Sequence, residues 1–139
     1  MDAIVQTPRP ARRLVLVADD EATIQLLVTR VITQLGLDAL PVGDGAAAIT
    51  AVAARRADLA CAVLDITMPL VNGVDAARAI QRLAPELAIV LMSGAVPAHM
   101  ADSIRQLRLA GMLHKPFPLV ALRELIRQVV DNSVAIETA

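Results

Sequence analysis

Aromatic side chains are almost missing from this chain, and several other features are scarce. Phe117 is the only aromatic residue among 139, so any pocket has almost no stacking surface. Cys61 is the only cysteine, which excludes an internal disulfide and favours a reducing compartment, the cytoplasm. The formal net charge of −1 provides no general attraction to nucleic acid or to an anionic membrane. No apolar run approaches the roughly 18 residues of a membrane span, and no signal peptide is predicted.

Aliphatic residues dominate instead, and they fall into short runs that alternate between two periods. Hydrophobic residues make up 56% of the chain, and its length suits one domain with a substantial core. The runs predict strands over Leu14–Ala18, Leu37–Val42, Ala60–Leu64, Ala88–Met92 and Met112–Leu113. The segments between them predict helices over Ala22–Leu35, Gly45–Arg55, Val74–Leu83, Pro97–Leu109 and Pro118–Val130. This alternation predicts an α/β fold, with a parallel sheet covered by helices on both faces.

The chain ends and the predicted turns support this assignment of strands and helices. Residues 1–12 are polar and contain proline, which predicts a flexible N-terminal tail before a domain over 13–131. Residues 132–139 are predicted to be a C-terminal tail. Gly36 is expected to end the first helix, and Asp44 or Gly43 to open the second.

Charged residues follow three of the predicted strands. Asp19 and Asp20 come directly after the first strand, Asp65 after the third, and Lys115 just after the fifth. In an open parallel sheet, chemistry takes place outside the carboxyl ends of the strands, so we expect these groups to converge. Clustered carboxylates repel one another unless a hard cation such as Mg²⁺, ahead of Ca²⁺, lies between them. Phosphoryl transfer is therefore the first chemistry to consider.

Each of these residues also has a simpler interpretation. Asp19 or Asp20 would serve as the N-cap of the first helix, and Asp65 as a turn residue. Ser93, after the fourth strand, would be a turn hydroxyl, and Lys115 a surface lysine. The order of acid pair, acid, hydroxyl and lysine on four strand ends is what favours a joint role.

These segments together resemble a known family. The matching strings are Leu14 to Glu21, Val63 to Pro69 with Asn72-Gly73, Met92-Ser93-Gly94, and His114-Lys115-Pro116-Phe117. They are similar to the receiver domain of bacterial two-component response regulators, over about residues 13 to 131. The resemblance implies a flavodoxin-like five-stranded parallel sheet of order 2-1-3-4-5 with five helices on two faces.

The resemblance also implies a role for each matching residue. Asp65 would accept a phosphoryl group from a histidine kinase, a histidine phosphotransfer protein or a small donor. Asp20 and Asp65 would bind Mg²⁺ directly, Asp19 through water, and the Thr67 carbonyl would complete the protein ligands. Lys115, in a cis bond to Pro116, and Ser93 would contact the phosphoryl oxygens. The chain would then be a signalling phosphoacceptor that catalyses only its own phosphorylation and dephosphorylation.

The chain departs from the family pattern at one position that matters. Met112 stands three residues before Lys115, where the family usually has a switching aromatic residue. This puts the usual rotamer switch in doubt without affecting phosphorylation. A flexible thioether would distinguish poorly between inward and outward states.

Other functions also fit parts of the pattern. A haloacid-dehalogenase-like phosphotransferase uses a strand-end Asp but would need a second acid two residues on, where this chain has Thr67. A flavodoxin-like binding module would need a hydroxyl-rich loop and aromatic rings. A degenerate receiver that works without phosphorylation is disfavoured because all five site positions are filled.

Output is expected to pass through protein contacts rather than nucleic acid or membrane. The predicted surface is built from the fourth helix, fifth strand and fifth helix, and a weak dimer is left open. A stand-alone receiver, a phosphorelay intermediate and a part of a hybrid kinase all remain compatible with the sequence.

Overall fold

A computed structural model describes residues 13–138, with side chains described for residues 13–132. Its strands are β1 (Leu14–Ala18), β2 (Asp38–Val42), β3 (Leu59–Asp65), β4 (Ala88–Ser93) and β5 (Gly111–His114). Its helices are α1 (Ala22–Gln34), α2 (Gly45–Arg55), α3 (Gly73–Leu83), α4 (Ala101–Arg105) and α5 (Leu119–Thr138). All neighbouring strands are parallel, in the order β2-β1-β3-β4-β5, so the predicted flavodoxin-like sheet is confirmed.

Alternate residues of the central strands pack against opposite layers of helices. Leu16 and Leu64 face a core shared with α2 and α3, whereas Val17 and Val63 face a core shared with α1 and α5. A strand that is covered on both faces must be apolar at every position, which explains the unbroken aliphatic runs. The two layers fix the sheet and therefore the positions of the strand ends.

The predicted helix ends are confirmed at two of the turns. Gly36 has a φ of 79° directly after α1, a left-handed conformation that glycine adopts without steric cost. The Asp44 side chain accepts a hydrogen bond from the Ala47 N–H at 2.7 Å, as the N-cap of α2.

The fourth helix is much shorter than the sequence predicts. Pro97–Leu109 was expected to be helical, but only a 3₁₀ turn at Ala98–Met100 and the helix Ala101–Arg105 form. The Ala110 N–H already donates to the Ile89 carbonyl at 2.8 Å, so the chain must leave the helix early to rejoin the sheet. Apolar residues after the helix, such as Leu107 and Leu109, pack against the core from a loop instead.

The last helix is longer than predicted. It continues beyond Val130 to Thr138, through the segment expected to be a C-terminal tail, so its predicted end is wrong. No glycine or proline follows Val130 in the sequence, and nothing there forces a helix to end. The predicted N-terminal tail, residues 1–12, lies outside the described residues, and the domain boundaries stay a prediction.

In the part of the chain that the structure describes, no helix combines the length and apolar character needed to cross a membrane.

Candidate active site

Strand register brings two of the predicted acids side by side. Ala18 of β1 pairs with Leu64 of β3, so Asp19 and Asp65 leave adjacent strands at the same level. Asp19 is fully buried and Asp65 is 5% exposed. A buried carboxylate needs a partner, because removing a charge from water is costly unless it is paired. The two acids therefore require a cation in this position.

Lys115 provides the first positive charge. It follows β5, and its N–H donates to the Ser93 carbonyl at 2.7 Å, which holds the chain beside the end of β4. Its Nζ lies 2.9 Å from Asp19 Oδ2, 3.3 Å from Asp65 Oδ2 and 3.5 Å from an oxygen of Glu21. Lys115 is also the only lysine in the chain, and its bond to Pro116 is cis, as the resemblance implied.

The pKa shifts of Asp65 and Lys115 follow from this geometry. Burial raises the pKa of the Asp65 carboxyl, and the charge of Asp19 raises it further, while Lys115 and a hydrogen bond from the Thr67 backbone act in the opposite direction. Burial alone would lower the pKa of Lys115, but the hydrogen bonds and charges of Asp19 and Asp65 outweigh it and raise that pKa. Lys115 therefore stays a cation, while the charge on Asp65 is only partly compensated.

The acids also meet the requirement for a metal site. Asp19, Asp20 and Asp65 each offer a carboxylate oxygen, and these atoms lie within 4.8 Å of one another. Asp20 is exposed and, with Asp65, Thr67 and Lys115, lines a cleft of about 380 Å³. Clustered carboxylate oxygens with room for water are the donors that Mg²⁺ prefers. The residues thus fit a hard divalent cation.

Helix capping does not explain the acid pair. Glu21 occupies the N-cap position of α1, and no side chain makes a capping hydrogen bond there. Asp19 Oδ1 instead accepts from the Glu21 N–H at 2.8 Å, which orients this carboxylate within the loop. The N-cap interpretation of Asp19 and Asp20 is therefore wrong.

Ser93 ends β4 next to these groups. It is 1% exposed, and its Oγ is buried without a hydrogen-bond partner among the described residues. A buried hydroxyl without a partner is uncommon, because it loses its bonds to water. The register places Ser93 opposite His114, one residue before Lys115. The unpartnered hydroxyl and the ammonium group thus belong to neighbouring strand ends.

Comparison with known proteins identifies the arrangement. The family described as "Response regulator receiver domain" matches residues 15–127. The chain belongs to this family. A receiver domain is a signalling module of two-component systems, so the function class expected from the sequence is confirmed.

Relatives of this receiver domain include part of a sensor kinase and a sensor protein. The autoinducer 1 sensor kinase/phosphatase LuxN of Vibrio campbellii is 34% identical over 121 residues, which cover 87% of this chain and 14% of LuxN. A sensor protein from Polaromonas sp. JS666 is 27% identical, with a TM-score of 0.76 over 88% of this chain and 98% of that one.

The fold is also found at lower identity. A CheY-like receiver domain protein from Methanospirillum hungatei has a TM-score of 0.80 at 16% identity, over 88% of this chain and 96% of that one. This likeness concerns the fold alone. The receiver domain spans only a small part of LuxN, so the activities of that whole protein are not transferred to it.

Two residues that sequence reasoning gave no role help to hold the receiver site together. Gln25 Nε2 donates to the Asp19 carbonyl at 2.6 Å and to the Val42 carbonyl at 2.9 Å, which fastens the loop after β1. At Gly73, a Cβ would collide with the Asp65 carbonyl, so only glycine lets α3 begin this close to β3. No sequence signal marked Gln25, whereas Gly73 lay within the family motif.

Proposed function

We propose that this receiver domain accepts a phosphoryl group on Asp65. The observation that supports the proposal is the nearly buried Asp65 carboxylate in an open cleft, with Lys115 Nζ at 3.3 Å and the unpartnered Ser93 hydroxyl on the next strand. Nucleophile, cation and hydroxyl donor are the groups that phosphoryl transfer to a carboxylate requires.

The transfer is a displacement at phosphorus. An oxygen of ionised Asp65 forms a bond to the phosphorus atom of a phosphohistidine, and the bond between phosphorus and the imidazole nitrogen breaks with its electron pair going to the imidazole. Lys115 is placed to offset charge on the phosphoryl oxygens. Ser93 would donate its hydroxyl hydrogen to one of them, which would satisfy the buried Oγ.

Asp19, Asp20 and Asp65, with the carbonyl of Thr67, are the residues that would hold Mg²⁺. When bound, the ion supplies positive charge that stabilises the transferring phosphoryl group. Asp19 already forms an ion pair with Lys115, so it would contribute less to Mg²⁺ binding than exposed Asp20. Removing Asp20 should therefore abolish phosphorylation, and removing Asp19 should weaken it.

The test uses acetyl phosphate as the donor and intact mass as the readout. With Mg²⁺ the protein should gain one phosphoryl group, and Asp65→Asn should gain none. Asp75→Asn is the matched control, because Asp75 is an exposed carboxylate on α3 outside the cleft. Phosphorylation of Asp65→Asn, or unchanged labelling in EDTA, would contradict the proposed site.

The proposal extends to partners and compartment. The donor would be a histidine kinase or a histidine phosphotransfer protein, and output would pass through protein contacts on the surface of α4, β5 and α5. A cytoplasmic location is supported by Cys61, a fully buried free thiol that suits a reducing compartment. Beyond transfer to itself, we propose no enzymatic activity.

A further inference from the structure

A second concave surface lies between α3 and the connection from α4 to β5. It encloses about 340 Å³, and its lining consists of Arg78, Gln81, Arg82, Gln106, Leu107 and Arg108. Three of these six residues are arginines and none is acidic. We call this surface the arginine groove. It shares no lining residue with the Asp65 cleft.

The early end of α4 creates the groove. Because the helix stops at Arg105, Gln106 to Arg108 follow a non-helical path beside α3. The Gln81 side chain donates to the Arg108 carbonyl at 3.0 Å and fastens this path to α3. Arg78 and Arg82 are one turn apart on α3, so they lie on the same face of that helix. The three guanidinium groups therefore come from two separate elements.

Most of the positive charge in the groove has no counterpart within the domain. Arg78 Nη1 lies 3.4 Å from Asp75 Oδ1, a long and exposed contact. Neither Arg82 nor Arg108 has an ion pair among residues 13–132, whereas some exposed arginines elsewhere do, for example Arg56 with Glu86. Like charges that lie close together without partners repel one another and destabilise a fold slightly. Binding of an external anion in the groove would therefore relieve this repulsion and lower the free energy.

We propose that the arginine groove binds an acidic segment of a partner protein. Guanidinium forks match carboxylates in a bidentate geometry, and Gln81 and Gln106 provide further polar contacts at the edges. The lining has no aromatic ring for a nucleobase and no glycine-rich loop for a phosphate chain. An extended run of Asp or Glu side chains is the ligand that matches an open, basic groove without aromatic residues. The site does not depend on phosphorylation of Asp65.

The probe is a short glutamate-rich peptide added to ¹⁵N-labelled protein, with the same peptide carrying Gln in place of Glu as its control. The salt is kept at about 0.1 M, where charges more than about 10 Å apart are screened. Amide shifts should map to α3 and to residues 106–108, and the Gln peptide should produce none. Arg82→Ala with Arg108→Ala should lower the affinity at least tenfold.

Arg30→Ala is the matched variant, since it removes an exposed arginine from α1 on the opposite face of the sheet. It should change the affinity less than twofold. An equal loss with Arg30→Ala, shifts that map elsewhere, or the absence of binding would overturn the proposal. Binding of inorganic phosphate or a nucleoside triphosphate in place of the peptide would overturn it as well. Thermal unfolding of each variant checks that the fold is kept.

Discussion

The centre of the sheet and the side formed by α4 and β5 are packed to very different degrees. Every residue of β1 and β3, the strands that carry the acids, is buried. At the other side, only Leu113 of the four residues of β5 is buried, and α4 has no buried residue. The carboxylates Asp19 and Asp65 thus stand on strands that are buried throughout, whereas two elements of the predicted output surface, α4 and β5, have few buried residues.

This difference in packing suits two different requirements of a signalling switch. Phosphoryl transfer needs groups held in fixed positions, which densely packed strands provide because side chains there have little freedom. A surface that changes with phosphorylation needs alternative conformations of similar energy, which few buried contacts allow. The shortness of α4 meets the second requirement. Partly buried Met112 packs with similar energy in either state, so it should transmit little of the change along β5.

Truncating one methionine on each side should give the largest single loss of stability. Met92 in β4 is fully buried, whereas Met112 in β5 is only partly buried. Met92→Ala should lower the free energy of unfolding by about 4 kcal/mol and Met112→Ala by about 2 kcal/mol, since the cost grows with the cavity left behind. Urea unfolding of both variants measures this, and equal losses would remove the contrast.

Charge removal should give the next largest loss of stability. Lys115→Met leaves buried Asp19 and Asp65 without their cation and should cost about 3 kcal/mol of unfolding free energy in EDTA. Arg105→Met removes an arginine whose pair with Asp102 is exposed on α4, so it should change stability by less than about 0.5 kcal/mol.

Adding Mg²⁺ sharpens this charge comparison. The ion should restore part of the stability lost in Lys115→Met, because it would replace one positive charge among the acids. It should leave Arg105→Met unchanged relative to the native protein. Urea unfolding with and without Mg²⁺ measures both, and a loss in Lys115→Met no larger than in Arg105→Met would contradict the buried pairing.

A smaller effect should appear in the pH dependence of stability. The raised pKa of Asp65 means that the folded state holds this proton more tightly than the unfolded state. Stability contributed by the protonated form is present below the unfolded pKa of about 4 and is lost as the pH rises through the folded pKa.

Asp65→Asn has no titratable group at this position, so it does not lose stability as the pH rises through the folded pKa of Asp65. The stability of the variant relative to the native protein should therefore increase with pH across that window. Unfolding in EDTA at a series of pH values measures the difference, and Asp75→Asn controls for the removal of one exposed carboxylate. A difference that stays constant or falls with pH would show that burial does not disfavour the Asp65 charge.

The convergence of the charged groups could be predicted from the sequence. Asp19, Asp65 and Lys115 follow apolar runs, and parallel strands bring their ends to one rim, so their convergence followed from pattern alone. The cis bond before Pro116 followed only from the family resemblance. Gln25 could not be identified, because its bonds to two loop carbonyls depend on tertiary positions that leave no trace in spacing.

The lightly packed side was predicted less well, and for a physical reason. Met100, Ile104 and Leu107 have a spacing that suits one face of a helix, yet only Ile104 lies in α4. A few partly buried side chains do not determine whether a segment stays helical, because most helical stability comes from packing. The arginine groove was invisible in the sequence for the same reason, since it depends on where α4 ends.

Backbone amide NMR with beryllofluoride, a stable stand-in for the phosphoryl group, and Mg²⁺ tests most directly which part of the domain changes when Asp65 is phosphorylated. We expect large shifts around Ala95 in the loop from Ser93 to Pro97, small shifts along β1, at Met112 and along α5, and none in Asp65→Asn. The reason is that flexible Met112 packs with similar energy in either state. Equally large shifts that run through Met112 and along α5, or shifts that persist in Asp65→Asn, would contradict the account.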